Sequence, residues 1–276
     1  GCDASDSKQA NVKVNLNDGS SLSSTFTDLN GKYTFFTDAG NFNITTAVEN
    51  PAFFSVSPTA PVVSFADNNN NTAQQNFCVS ALGTNSDAEI VIAPIYPAKP
   101  GFMAWYEILI RNKGNQTLNG TANFTYNQNI LHYGIATLAP NVQTPGNLGW
   151  NYANLLPFES RRIYLGLNVN TPVQVPPANI GDILNFTASI NPITGDSNPA
   201  DNQFVFNQEV VGSFDPNDIT CLEGESVSPS TIGDYLHYGI NFENTGTAEA
   251  ENVVVKVVID ESKYDINSLQ LLDASH

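Results

Sequence analysis

Apolar side chains recur at every second position in short runs along this chain. No window of twelve or more residues places them at i, i+3, i+4 and i+7. Val12, Val14 and Leu16 alternate with Lys13 and Asn15. The runs 25–27 and 32–35 flank Asp28-Leu29-Asn30-Gly31, where Asn-Gly is a hairpin-turn signal. Further β-rich runs fall at 41–45, 53–56, 62–65 and 76–79, so residues 1–80 predict about seven strands and a small β-sandwich. Residues 80–86 read as a linker. Runs at 88–95, 103–110, 121–126, 130–136, 162–169, 184–190 and 204–211 then predict a second, larger sandwich. The expected class is all-β, a series of tandem β-sandwiches.

A repeat extends the series. Tyr106, Ile108, Ile110, Asn112 and Gly114 recur as Tyr238, Ile240, Phe242, Asn244 and Gly246, each displaced by the same 132 residues. The spacing puts three large side chains on one strand face and ends the strand in an Asn/Gly turn. The expected modules are 1–80, 84–211 (Ig-like) and 212–276, the last an incomplete second copy of the Ig-like repeat.

Composition narrows the function. The 276 residues carry 10 basic and 27 acidic side chains, a formal charge of −17, yet only 13% are charged; 36 are Asn and 42 are Ser or Thr. Ten scattered cations cannot build a phosphate-binding face, which argues against nucleic acid and against an anionic membrane surface. No apolar run approaches the roughly 20 residues of a membrane span. The chain begins on Gly-Cys-Asp rather than Met and is expected to be a piece of something longer.

Two stretches carry resemblances. Thr27-Asp28-Leu29-Asn30-Gly31-Lys32-Tyr33-Thr34-Phe35-Phe36, followed by Ala39-Gly40-Asn41-Phe42-Asn43-Ile44-Thr45, resembles the core motif of carboxypeptidase-regulatory-like and collagen-adhesin B-type modules. This implies a transthyretin-like sandwich acting as a non-catalytic spacer. Residues 211–276 hold Ser213-Phe214-Asp215-Pro216-Asn217-Asp218, then Leu236-His237-Tyr238-Gly239-Ile240-Asn241-Phe242-Glu243-Asn244-Thr245-Gly246-Thr247-Ala248, and end on Leu272-Asp273-Ala274-Ser275-His276. They resemble a repeat of very large surface proteins of the Bacteroidetes, especially flavobacteria, and residues 84–210 resemble its more divergent copy. The resemblance implies an outer-surface location and export by type IX secretion.

Candidate chemistry is sparse. Cys2 and Cys78 bracket the first module and are a candidate disulfide closing some 75 residues, worth roughly 4 kcal/mol in the chain-entropy model. Two reduced thiols, or a lipidated Cys2, are the alternatives, and Cys221 is left unpaired. Asp215, Asn217 and Asp218, with Glu223 nearby, are candidate calcium ligands at the junction of the second and third modules, because hard cations take carboxylate and amide oxygens. Their spacing is similar to a cadherin linker, and a self-capping Asx turn is the alternative. The Asp67–Asn71 and Asp196–Asn202 clusters are expected to be solvated loops. Lys13, Asn76 and Glu49 are the only imaginable isopeptide set, and Lys13 is expected to face outward. His132, His237 and His276 are isolated, with no nucleophile elbow, His-x-x-x-His pair or phosphate loop, and His237 is expected to face solvent.

The reading is a non-catalytic spacer of an extracellular bacterial surface protein that supports adhesion, packed against neighbouring modules of its own chain and meeting an unknown protein or glycan. Two alternatives stay open. One is direct glycan or matrix-protein binding through Tyr126, Tyr133, Trp150 and Tyr152. The other is the accessory region of a secreted hydrolase.

Overall fold

The computed structural model describes residues 6–212, 218–242 and 257–274. The chain is all-β, and its described helical elements are two 3-10 turns, Pro229–Thr231 and Ile266–Ser268. It forms two compact units. The first comprises Gly1–Asn85, Lys113–Gln116 and Val255–His276; the second comprises Ser86–Asn112 and Thr117–Val254. Among the described residues no helix is long and apolar enough to cross a membrane.

The first unit contains β1 (Lys13–Asn17), β2 (Leu22–Phe26), β3 (Gly40–Ala47), β4 (Phe54–Ser57), β5 (Val62–Phe65) and β6 (Cys78–Ala81). One sheet runs β2-β1-β3-β5 and a second pairs β4 with β6. Val12, Val14, Leu16, Phe42, Ile44 and Phe54 are its buried apolar residues, the first three being the alternating run read from the sequence. The β1–β2 turn is tied by Asp18, whose carboxylate accepts from the backbone N–H and hydroxyl of both Ser20 and Ser21. Those four bonds hold the Asp18 carboxyl well below the usual range.

Two expectations for this unit are corrected. The Asp28–Gly31 turn closes, with Gly31 N–H donating to Asp28 O at 2.9 Å and Gly31 at φ 68°, but 32–35 is not a strand. Tyr33 instead donates to Gln75 O at 2.7 Å and packs its ring against Phe35 and Phe77. Lys13 is not exposed to solvent as expected: it is 7% exposed between Phe26 of β2 and Ala47 of β3. A long aliphatic stem flanked by strands on both sides is readily covered.

The second unit contains β7 (Ala88–Pro94), β8 (Met103–Asn112), β9 (Leu118–Tyr126), β10 (Leu131–Ala136), β11 (Val142–Thr144), β12 (Asn147–Leu155), β13 (Ser160–Val169), β14 (Ile183–Asn191), β15 (Gln203–Glu209), β16 (Asp218–Cys221) and β17 (Tyr238–Asn241). A sheet in the order β10-β13-β8-β7 and another in the order β11-β12-β9-β14-β15 make the sandwich, and β16 pairs with β17. Between the sheets, Tyr106, Phe124 and Phe206 surround Phe186 at centroid distances of 4.6, 5.6 and 6.1 Å, the geometry aromatic rings favour. The buried Tyr106 hydroxyl donates to Gln208 Oε1 at 2.7 Å, and burial pushes this phenol far up.

Trp150 and Tyr152 belong to this core. Trp150 is 1% exposed with its indole N–H on Leu138 O at 2.8 Å, and Tyr152 donates to Asn191 O at 2.7 Å. Two of the four aromatics named as a recognition surface are therefore interior packing, held by the partners a buried Trp or Tyr needs.

Candidate functional site

The outer face of β7 is where the chemistry of the second unit collects. Glu89 stands directly opposite Arg111 of β8 in the antiparallel register, and the pair meets at 2.5 Å with both side chains nearly buried. Glu89 also faces His237, Oε1 to Nε2 at 3.9 Å. The opposite ring nitrogen of His237, Nδ1, lies 2.6 Å from Glu223 Oε1, while Glu223 Oε2 accepts the His237 backbone N–H at 2.8 Å. The imidazole and the ring of Phe204 on β15 meet perpendicularly, at a 5.3 Å centroid distance and 88°. His237 thus sits between two carboxylates, one from β7 and one from the loop after β16.

This reverses the expectation that His237 faces solvent. Its side chain is 16% exposed, while Tyr238, Ile240 and Phe242 are 40–45% exposed. The polar member of the alternating run is inside and the apolar ones are outside. The surface on which the run docks explains the inversion, because it offers a buried carboxylate that a cation can satisfy and an alkyl group cannot. Burial by itself disfavours the imidazolium, but hydrogen bonds and charge from Glu223 and Glu89 outweigh it and raise the His237 pKa to about 9. Burial opposes ionisation of Glu223 too, and His237 overcomes it, holding that carboxyl below its usual value.

A second cluster lies two residues earlier on the same chain segment. One carboxylate oxygen from each of Asp87, Asp196 and Asp201 falls within 4.8 Å of the others. Asp87 precedes β7 and is 2% exposed; Asp196 and Asp201 come from the β14–β15 connection. The connection is fastened to the start of β7 by a parallel bridge between Ser86 and Asp196, by Ser197 N–H on Ser86 O at 2.7 Å, and by Ala88 N–H on Asp196 Oδ2 at 2.8 Å. Asn198 caps the loop, donating through its backbone to Asp196 Oδ1 and through its side chain to Asp201 Oδ2. Asn202, fully buried, brings its amide to 3.3 Å from Asp196 Oδ2, and its Oδ1 has no hydrogen-bond donor.

Of the residues named from the sequence, Asp215 and Asn217 lie outside the described residues. Asp218 accepts from Asn241 Nδ2 at 2.8 Å and from Thr220 Oγ1 at 2.9 Å. Glu223 belongs to the His237 pair, so the two described members are held by protein donors. Cys78 is disulfide-bonded and Cys221 is free; Cys2 lies outside the described residues. Glu49 pairs with Lys113 at 3.4 Å. The other described histidine, His132, bonds Asn170 at 2.8 Å. Sequence reasoning missed Glu89 and Asp87 because both partners arrive through long-range packing. The Asp196–Asn202 run was visible as an Asp/Asn cluster but read as solvated.

Residues 215–276 match the sequence profile of a family described as "Domain of unknown function (DUF7619)". No curated protein matches the chain. Among solved structures, the chain is similar to the CARDB domain of a Pyrococcus furiosus protein in complex with di-metal ions (15% identity, 46% of this chain and 90% of that one, TM-score 0.32). It is also similar to CaCohA2 of Clostridium acetobutylicum (16%, 47% and 94%, TM-score 0.31) and to BcpA, the major pilin subunit of Bacillus cereus (12%, 78% and 67%, TM-score 0.30). At these identities nothing about function is transferred from them.

Proposed function

We propose that the chain is a non-catalytic spacer segment of an extracellular bacterial surface protein, supporting adhesion by holding successive β-modules in a fixed relation. The observation that carries this reading is the buried Glu89–His237–Glu223 bridge, with Arg111 behind it. It clamps the start of the DUF7619-matching segment to the sandwich before it. An isolated surface ion pair contributes little, whereas a hydrogen-bonded cluster that excludes water fixes geometry. A joint of this kind suits a chain whose work is to transmit reach and orientation. The resemblance of residues 211–276 to a surface-protein repeat of the Bacteroidetes supports the same location and, with it, export by the type IX route.

The test uses the whole chain in a Cys221→Ser background, spin-labelled at Val205→Cys on β15 and Ser226→Cys in the loop after β16. Pulsed dipolar spectroscopy at neutral pH should give one narrow distance distribution, and His237→Gln should broaden it. Glycan and matrix-protein arrays probed with the same chain should stay silent. A broad distribution in the parent, or a saturable array ligand, sinks the spacer reading.

A further inference from the structure

We propose that Asp87, Asp196, Asp201 and Asn202 form a binding site for a hard divalent cation, with calcium as the ion it fits, placed where the β14–β15 connection meets the first residues of β7. The donor set is all oxygen: three carboxylates and one amide carbonyl. Oxygen-only sets select calcium, magnesium or manganese over zinc and copper. The carboxylate oxygens lie within 4.8 Å of one another, close enough to share one ion. Calcium takes six to eight oxygens in flexible geometry, which suits ligands set by a folded loop, whereas magnesium demands a near-ideal octahedron.

The Asn202 amide separates this cluster from an ordinary acidic turn. A fully buried carbonyl oxygen without a donor is costly, and such groups call for an explanation. The Asn202 amide touches Asp196, so its two terminal atoms lie at the cluster, and half a turn about the terminal bond exchanges them. A cation at the cluster would take that oxygen as a ligand. The rest of the loop is already fixed, by Ser86, by Ala88 and by the N–H of Ile90 donating to Asp201 O at 3.2 Å. Little ordering entropy remains to be lost when the ion arrives.

The consequence is mechanical. The ion would tie Asp87, immediately before the edge strand of one sheet, to the hairpin connection of the other, adding a cross-sheet staple at the end of the sandwich. It acts on the module beside the His237 clamp and does not depend on the spacer reading.

The test uses the full chain freed of metal with a chelator, then titrated with calcium chloride by calorimetry and with terbium by luminescence excited through aromatic side chains. Burial, with a smaller push from the nearby Asp196 carboxylate, raises the Tyr152 phenol to about 12, and this ring can serve as the antenna. The expected result is one terbium per chain displaced by calcium, and a raised melting temperature in calcium. Asp201→Asn and Asp87→Asn should each weaken calcium at least tenfold, while Asp18→Asn, which removes a carboxylate of the first unit, should not. Because Asp87→Asn removes a buried group, circular dichroism checks its fold, and the half-buried Asp201→Asn decides alone if it unfolds. Absence of calcium heat and of sensitised terbium emission overturns the proposal. So does binding that survives Asp201→Asn or that is lost in Asp218→Asn instead.

Discussion

Raising the pH should release the clamp. His237 carries a folded-state pKa of about 9 against an ordinary value near 6.5, a difference set by Glu223 and Glu89 against the opposing effect of burial. At about 1.4 kcal/mol per pKa unit, the difference corresponds to roughly 3 kcal/mol, counted once for the pair because Glu223 is depressed by the same contact. The sign follows from the raised value. The contribution is fully present below pH ~6.5, where the imidazole is protonated folded or unfolded, and it is lost as pH rises through about 9. Glu223, whose folded pKa is lowered, contributes above its unfolded value near 4.5 and loses that as pH falls below it. The clamp is therefore strongest between about pH 4.5 and 6.5. Burial raises the neighbouring Cys221 thiol above its ordinary value of 9, so thiolate formation follows the loss of His237's proton.

Two measurements check this. An NMR titration of the histidine ring protons should find one residue, absent in His237→Gln, that titrates near 9. Denaturant unfolding should show wild type losing about 2–3 kcal/mol between pH 6.5 and 10, and His237→Gln destabilised by a similar amount at pH 6.5 but by about 1 kcal/mol or less at pH 10, where a neutral hydrogen bond is all that differs. A His237 pKa at or below 6.5 refutes the reasoning, as does a stability that is flat across that window.

Other perturbations probe the sandwiches. Gly120→Ala should cost at least about 3 kcal/mol in unfolding free energy, because a Cβ on β9 would overlap the carbonyl oxygen of Asn191 and press on the Tyr152 hydroxyl; a near-neutral result would show that the β9–β14 spacing yields. Asn115→Ala should cost the first unit about 1–3 kcal/mol, since its amide donates to Phe53 O and Leu82 O and accepts from Asn85 N–H. Reduction should lower the first unit's stability by roughly 4 kcal/mol in the loop-closure account, and a non-reducing peptide map should join the Cys2 and Cys78 peptides while leaving Cys221 alone; a linkage involving Cys221 refutes the pairing.

Strand positions were largely legible because alternation is a local signal. Val62–Phe65 was read to the residue, and β7, β8, β10, β13 and β14 to within about two. The strand β12 was missed, although Leu148, Trp150 and Tyr152 alternate and Thr144-Pro145-Gly146-Asn147 announces the turn before it, with Gly146 at φ 71°. Its Gly and Asn residues made it resemble an aromatic loop. What local pattern cannot tell is which face of a run meets which surface. Tyr106 and Tyr238 occupy the same place in the repeat, yet the first is buried against Phe186 and the second is 45% exposed. A strand read in the right register can still be docked on its polar side. The same limit hid both clusters, since Ala88 and Asp196, which join at the start of β7, are 108 residues apart in sequence.

Strand β7 links the two clusters. Asp87 immediately precedes β7 and Glu89 follows Asp87 by two residues, at most roughly 6.6 Å along an extended chain. Glu89 is neutralised by Arg111 and His237, and a cation at Asp87 would bring a second positive charge beside the imidazolium. Placing that ion about 10 Å from the His237 ring, a divalent charge opposes the imidazolium by about 0.8 kcal/mol even at the dielectric of water, and by more in a partly buried setting. At low ionic strength, where screening is weak, calcium should therefore lower the His237 pKa by about 0.5. By reciprocity, the chain should bind calcium more tightly above pH 9 than below pH 7, by about threefold, once buffer effects are removed. The His237 titration repeated in saturating calcium and in chelator measures the first effect, and calorimetry at two pH values measures the second. If calcium binds and the His237 titration does not move, the ion lies elsewhere than Asp87. If both shift together, one edge strand holds the joint and the ion in a single electrostatic unit, and the stiffness of the joint then depends on calcium as well as on protons.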